Sequence, residues 1–446
     1  MSDKPKKYFL SNLGCPKNEV DGNALEYYLL KRGFTRSEPE EADLLIVNTC
    51  GFIEDAKRES IDEILHLSRL KRFDGRLAVA GCLSQRYRRE LNDILPEADF
   101  LFGISSPEEI ASVLDGGDPS TGDRTFNIEA PYQEPAGRII EPGSSYAYMK
   151  IADGCDNHCS YCAIPLIRGA YRSREVEAIG GEAEFLLSNG VREIILVAQD
   201  TTRYGFDLET EIRIEDLLKK LVDDERLEWL RLMYAHPARV SEELLEIISG
   251  NGKICSYLDI PLQHISDRML KVMNRGVTSA EIKALMATIR ENYPGIALRT
   301  TFLLNHPGET YDDFQQLLDF VEEIKFENLG VFVYSEEEGT PSSMMDDILS
   351  GELGERKYDE LTRLQSEIVE ERNRELTGME MKVIVDEYDD LNDVYYCRNE
   401  FQAPEIDGVV LLRAGDERLE EGDMVDVVVE GISLYDLEAV LKKSPI

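Results

Sequence analysis

The chain has 446 residues, 42% of them apolar, which suits about three domains with ordinary cores. It holds no run of 18 apolar residues, and Met1 to Lys7 is polar with no apolar stretch behind it, so neither a membrane span nor a secretory leader is expected and the protein reads as cytoplasmic. The formal net charge of -39, from 88 acidic and 49 basic residues, repels a phosphate backbone; it disfavours a nucleic-acid substrate and favours a basic protein, though acidic surface also serves solubility alone.

Up to about residue 115, short apolar runs alternate with amphipathic ones. Tyr8 to Leu13, Leu44 to Asn48, Leu77 to Ala80 and Phe100 to Phe102 read as buried strands, and Glu54 to Leu70 reads as a helix, with Ile61, Ile64 and Leu65 at helical spacing. The alternation predicts βαβ units in a doubly wound parallel sheet. No G-x-G-x-x-G follows a strand, so no dinucleotide site is expected. Cys15, Cys50 and Cys82 each lie just past the C-terminal end of one of these strands, the edge where open α/β sheets bind ligands. Gly14, Gly51 and Gly81 beside them allow tight turns and close backbone approach. A single such thiol would read as a packing residue, but three in one topological position read as a set that meets around one object. Eight cysteines without a leader also suit a reducing compartment, where thiols are free for metal.

Residues 115 to 144, rich in Gly and Pro, read as a linker or covering loop. Strands then recur near Tyr146 to Ala152, Glu193 to Ala198, Leu230 to Tyr234, Tyr257 to Pro261, Ala297 to Leu304 and Leu329 to Tyr334, with helices such as Ser173 to Asn189 and Ser279 to Tyr293 between them. Six βα units predict an open, TIM-like (βα)6 barrel with its site at the strand C-terminal face.

After the first of these strands comes Gly154-Cys155-Asp156-Asn157-His158-Cys159-Ser160-Tyr161-Cys162. Three thiolates on one loop can hold an iron-sulfur cluster by three of its four irons, leaving one iron open, whereas an electron-carrying four-iron centre takes four cysteines. Zinc is the competing reading, with His158 as a further ligand, but zinc sites are usually built from two separated pairs and no second C-x2-C occurs. Gln199 and Asp200 end the second strand of the barrel and are candidates for contacting cofactor or substrate, against a plain turn-and-cap role. His236, His264 and His306 read as hydrogen-bonding loop residues, Cys255 and Cys397 as packing residues, and Met286 as core.

Gly351 to Leu376 is charged, helical and without a strong core face, as in a connecting helix. Beyond Thr377, short β runs at Met381 to Asp386, Val394 to Arg398, Gly408 to Leu412, Met424 to Val429 and Leu437 to Lys442 predict a small all-β, OB-like barrel. It carries 18 acidic against 6 basic residues, the wrong sign for tracking phosphates.

The C-x3-C-x2-C run, with Tyr161 at the aromatic position before its last Cys, resembles the radical S-adenosylmethionine (SAM) superfamily. With Asn12-Leu13-Gly14-Cys15-Pro16-Lys17-Asn18, Gly81-Cys82-Leu83-Ser84-Gln85-Arg86-Tyr87 and Pro307-Gly308-Glu309-Thr310, the chain is similar nearly end to end to the methylthiotransferases of that superfamily. The resemblance implies a methylthiotransferase domain at 1-130 binding an auxiliary cluster, a radical-SAM core at 141-376 and a TRAM-like barrel at 377-446. It implies two [4Fe-4S] clusters, one on Cys155, Cys159 and Cys162 that binds SAM near Tyr161, Gln199 and Asp200, and one on Cys15, Cys50 and Cys82 that carries sulfur. The runs Ala198 to Gly205 and Arg231 to Pro237 look like the branch that methylthiolates an aspartate of ribosomal protein S-twelve, a basic protein; the MiaB-type branch, which acts on tRNA, is the alternative. Expected partners are that ribosomal protein, alone or within the small subunit, an electron donor such as flavodoxin or ferredoxin, and a sulfur donor, with no membrane. Asn305-His306 stand where the family more often has glycine and an aromatic residue; Asn tolerates left-handed backbone. Gly180-Gly181-Glu182, which could pass for the superfamily's SAM-amine motif, lies inside a predicted helix and reads as structural.

Overall fold

The computed structural model describes residues 6–116, 134–347 and 349–442; most of the expected linker lies outside them. The first unit runs β1 (Lys7–Asn12), α1 (Pro16–Lys31), β2 (Thr35–Arg36), β3 (Leu44–Thr49), α2 (Glu54–Leu70), β4 (Arg76–Gly81), α3 (Cys82–Ile94), β5 (Phe100–Leu101) and α4 (Pro107–Gly116). Its strands form one parallel sheet in the order β2-β1-β3-β4-β5. The central strand β3 is buried along its whole length, which is why it reads as a continuous apolar run. One face packs Tyr8, Leu44 and Ile46 against Leu25, Leu29 and Leu114 of α1 and α4. The other packs Leu45, Val47 and Val79 against Ile64, Leu67 and Leu91 of α2 and α3. The edge strand β2 has no sequence signal, being two exposed polar residues paired to β1. Pairing of Asn12 with Asn48 and of Thr49 with Gly81 brings the ends of β1, β3 and β4 level.

The second unit runs β6 (Tyr146–Lys150), β7 (Ala152–Asp153), α5 (Ile164–Arg168), β8 (Arg172–Ser173), α6 (Val176–Ser188), β9 (Glu193–Val197), α7 (Ile214–Leu221), β10 (Trp229–Leu232), α8 (Glu242–Gly250), β11 (Tyr257–Asp259), α9 (Asp267–Val272), α10 (Ser279–Asn292), β12 (Ala297–Leu304), α11 (Tyr311–Ile324), β13 (Asn328–Val333) and α12 (Gly351–Glu375). Two parallel ladders, β6-β9-β10 and β11-β12-β13, are joined by a bridge between Leu230 and Ile254, giving the expected six-strand open array. Helices cover its outside with one continuous apolar core. The helix expected from Ser173 starts three residues later. Ser173 is in β8, held through its backbone N–H and hydroxyl by the Asp207 carboxylate, and Arg174 turns inward to Glu182.

The connecting helix also differs from expectation, because α12 does have a core face: Gly354, Lys357, Leu361, Gln365 and Ile368 recur at three- and four-residue spacing and are buried, and the helix packs along β13 and α11. Two of the five are polar, which hides the stripe. Lys357 pairs with buried Glu309 at 3.2 Å, and Gln365 Nε2 donates to the Phe326 carbonyl at 2.9 Å.

The third unit, β14 (Glu380–Asp389), β15 (Val394–Asn399), β16 (Val410–Arg413), β17 (Met424–Ser433) and β18 (Asp436–Leu441), closes as a barrel in the order β14-β15-β16-β18-β17. It seats against the N-terminal ends of the strands of the second unit. The fully buried Glu193, first residue of β9, accepts from Arg231 Nε at 2.6 Å and Arg398 Nη1 at 2.7 Å, and Arg398 Nε also binds Asp386 at 2.6 Å. Asp407 accepts from Tyr257 OH at 2.7 Å and Arg299 Nε at 3.2 Å. The opposite, C-terminal strand edge is left to the cysteine loops. Among the described residues no helix is long and apolar enough to cross a membrane.

Candidate functional site

Cys15 caps α1, Cys50 follows β3 and Cys82 opens α3, so the level strand ends bring three distant thiols to one edge. Their loops touch. A Cβ on Gly14, whose φ is +89°, would sit 2.6 Å from Cys50 Cβ and 2.9 Å from its sulfur, and one on Gly51 would sit 2.6 Å from Leu83 Cα. Only a bare backbone permits either approach. Asn18 Nδ2 ties the loops by donating to the carbonyls of Leu13 at 2.7 Å and Asn48 at 3.2 Å. Burial pushes the Cys82 thiol up to about 12, with Arg168 opposing and Cys15 and Cys50 adding to the rise. Burial raises Cys50 too, whereas Cys15 is held below its ordinary value because Lys17, Arg168 and the backbone N–H groups of Asn18 and Lys17 outweigh its burial.

The second set lies on the loop between β7 and β8. Gly154, at φ +76°, lets the loop pass the Ala170 carbonyl, which a Cβ would meet at 2.1 Å. The Cys155 N–H donates to the Gly169 carbonyl and that of Cys162 to the Cys159 carbonyl, both at 3.1 Å, which folds the three thiols together. Burial pushes Cys162 up to about 12, helped by Cys159 and Cys155. Burial also raises Cys155, opposed by the Asn157 N–H. Arg275 Nη1 donates to Cys159 Sγ at 3.3 Å. His158 is exposed and takes a left-handed turn, and among the described residues no three His, Cys, Asp or Glu side chains are placed to hold a single metal ion. Tyr161 packs among Met269, Met273 and Leu303, with its ring edge-on to His306 at 6.2 Å.

The two sets are neighbours. Cys82 packs against Ala163 and Ile167, the former being the residue after Cys162. Arg168, at the end of the same turn, donates Nη2 to Cys82 Sγ at 3.5 Å and Nη1 to both Asp153 oxygens at 3.1 and 3.0 Å. Lys17 crosses from the first unit to the Ala198 carbonyl at 3.4 Å and lies 3.9 Å above the Tyr234 ring. On the other flank Glu337 takes Arg86 at 2.5 Å and Lys57 at 3.2 Å.

Gln199 and Asp200 reach this region with different duties. Gln199 Nε2 donates to Asp153 at 3.4 Å, while its buried Oε1 has no hydrogen-bond partner among the described residues. Asp200 is occupied: it accepts from Thr202 Oγ1 at 2.6 Å, Asn157 Nδ2 at 2.9 Å and Arg239. Burial works against its charge, but Arg239 and the Thr202 and Asn157 hydrogen bonds hold the carboxyl low. It anchors the Cys155 loop through Asn157. Asn305 takes φ +62°, the left-handed turn that glycine would supply, and donates Nδ2 to the Ser350 carbonyl at 3.1 Å. His236 and His264 each accept backbone N–H groups through Nδ1, and His306 Nε2 meets Ser342 Oγ at 2.8 Å. Cys255 and Cys397 are packed in apolar cores. Sequence reasoning missed Arg168, Arg275, Lys17 and Asp153. A lone arginine ending the apolar turn Ala163 to Ile167 was the available signal.

The donor chemistry fits iron-sulfur clusters: two sets of three free thiols, each with backbone N–H donors nearby and one buried arginine on a sulfur. Residues 149–321 match the Radical SAM superfamily profile, 7–103 that described as Uncharacterized protein family UPF0004, and 377–441 the TRAM domain. A protein of Clostridium tetani named Ribosomal protein uS12 methylthiotransferase RimO is 43% identical over 438 residues, 98% of each chain. Its namesake in Desulforamulus reducens is 44% identical, covering 96% of this chain and 98% of the other. Among solved structures, the radical S-adenosylmethionine methyltransferase TsrM from Kitasatospora setae superposes with a TM-score of 0.55 at 16% identity, over 76% of this chain and 74% of that one, a likeness of fold. With relatives this similar along essentially its whole length, the chain belongs to the RimO family of radical-SAM methylthiotransferases.

Proposed function

We propose that this protein transfers a methylthio group to the β-carbon of an aspartate in ribosomal protein uS12. The observation that carries the reading is the packing of Cys82 against Ala163, the residue after Cys162, which puts the thiol set of the first sheet beside the cysteine loop of the second unit. Cys155, Cys159 and Cys162 would hold a four-iron cluster that, when bound, would supply the electron for reductive cleavage of SAM to the radical that removes hydrogen from carbon; Cys15, Cys50 and Cys82 would hold a second that would carry the sulfur, and a second SAM would give the methyl group. Around them, Asn157, Asp200 and Arg239 fix the first cysteine loop, and Gln199 Oε1 is left to accept from a bound molecule. Contacts of Lys17 with Ala198 and of Glu337 with Arg86 and Lys57 tie the two units together and would hold the two thiol sets at a fixed separation. A carbon radical must meet sulfur before it is quenched, so fixed separation is a requirement of the chemistry. The net charge suits a basic protein substrate. A flavodoxin or ferredoxin would supply electrons and a separate donor the sulfur.

The test is to incubate reduced, reconstituted protein, sulfide and SAM with uS12 and with tRNA, and to look for the methylthio increment by mass spectrometry. The expected result is modified uS12. Alanine at Cys155 should abolish 5'-deoxyadenosine formation, while alanine at Cys82 should leave SAM cleavage measurable and stop methylthiolation. Modified tRNA beside untouched uS12 would overturn the proposal.

A further inference from the structure

Arg168 is a buried guanidinium, its side chain 1% exposed, with a divided fork. Nη1 is anchored by Asp153 from its own loop and by Asp21 of α1 at 3.1 Å, and this leaves Nη2 aimed at Cys82 Sγ. Burial opposes its charge, and Asp153, Cys82, Asp21 and Cys15 hold it cationic. Asp153 is itself anchored by Lys150 at 3.1 Å, so the donor is oriented by side chains from both units.

We propose that Arg168 is a positioning residue of the auxiliary centre on Cys15, Cys50 and Cys82, and that its bond to Cys82 raises the reduction potential of that centre. This rests on the ligand reading above. Electron counting gives the reason such a residue is needed. A carbon radical brings one electron and a sulfur lone pair two; two would remain in the new C–S bond, and the third would pass to the auxiliary centre in its oxidised form, were it bound there. A hydrogen bond to a ligand sulfur withdraws charge from it and stabilises the reduced, more negative state. Arg275 is the counterpart on the other set, donating Nη1 to Cys159 and Nη2 to the Pro261 carbonyl at 2.7 Å.

The test uses the full chain with Cys155, Cys159 and Cys162 changed to alanine and reconstituted with iron and sulfide, so that only the auxiliary centre is loaded. Its midpoint is read by redox titration followed by electron paramagnetic resonance. Arg168→Lys keeps a cation beside Asp153 but lacks the fork. The expected result is a midpoint moved to more negative potential by about a tenfold change in the reduced-to-oxidised ratio, about 59 mV for one electron, with iron content and circular dichroism unchanged. Arg275→Lys should leave it in place. Arg168→Gln should move it further, and if that variant does not fold, the lysine variant decides. An unmoved midpoint in folded, loaded Arg168→Lys overturns the role of Arg168 and spares the ligand assignment. A triple-alanine protein that takes up no iron overturns both.

Discussion

His236, whose Nδ1 accepts the Ala238 N–H, is tied to the site's charges. Burial, then Arg275 and Arg239, push its imidazole down to about 3, against the pull of Asp200. The folded protein therefore keeps His236 neutral at a pH where the unfolded chain, at the ordinary value near 6.5, is protonated. Stability from this group is full above about pH 6.5 and is lost as pH falls toward 3, at about 1.4 kcal/mol per pH unit. His236→Asn retains an acceptor for the Ala238 N–H without the titration. Urea unfolding at pH 7 and pH 5 should find the parent losing about 2 kcal/mol more than the variant. Equal losses would show that the imidazole does not titrate with unfolding.

At the scale of elements, two helix-interior glycines that look alike in sequence should respond in opposite ways. In α6, a Cβ on Gly180 would meet nothing within 4 Å, so Gly180→Ala should stabilise by about 0.5–1 kcal/mol through backbone entropy alone. In α12, a Cβ on Gly354 would lie 2.7 Å from Val333 Cγ1 and 3.0 Å from Asn305 Nδ2, so Gly354→Ala should destabilise by about 1–3 kcal/mol. Chemical denaturation of both variants measures this directly. Unimpaired activity in Gly180→Ala would also agree with the structural reading of Gly180-Gly181-Glu182, and a lost SAM affinity would not.

At the scale of the whole molecule, the barrel is held to the radical-SAM unit by charges taken out of water. Glu193→Gln would leave Arg231 and Arg398 buried without their shared carboxylate, at a cost of about 3–5 kcal/mol. Breaking the exposed pair of Lys442 with Glu380 by Lys442→Ala should cost about 0.2–1 kcal/mol. Thermal unfolding compares the two, and limited proteolysis should release the barrel only in the first. Similar small losses in both would mean that apolar contacts such as Ile384 and Ala403 against Tyr148 and Trp229 hold the units together unaided.

Much of the site was legible because its signals are local. Strand ends, glycine turns and the C-x3-C-x2-C spacing depend on neighbours in the chain, and so do the apolar runs of β3, β9 and β12. The pairing of β2 and the hidden face of α12 were not legible, since each depends on a partner far along the chain, Lys7 and Glu309, and the inward turn of Arg174 depends on Glu182 of the next helix being brought back over it by the fold. The same holds for Arg168 and Arg275. A charged residue reads as solvated until the fold brings the anion that lets it be buried, and only the assembled molecule puts Asp153, Asp21 and Cys82 around one guanidinium. The cysteine pattern and its kinship were thus written in the chain, whereas which thiols become neighbours, and which cations look onto them, were decided by level strand ends and by ion pairs closed across domains.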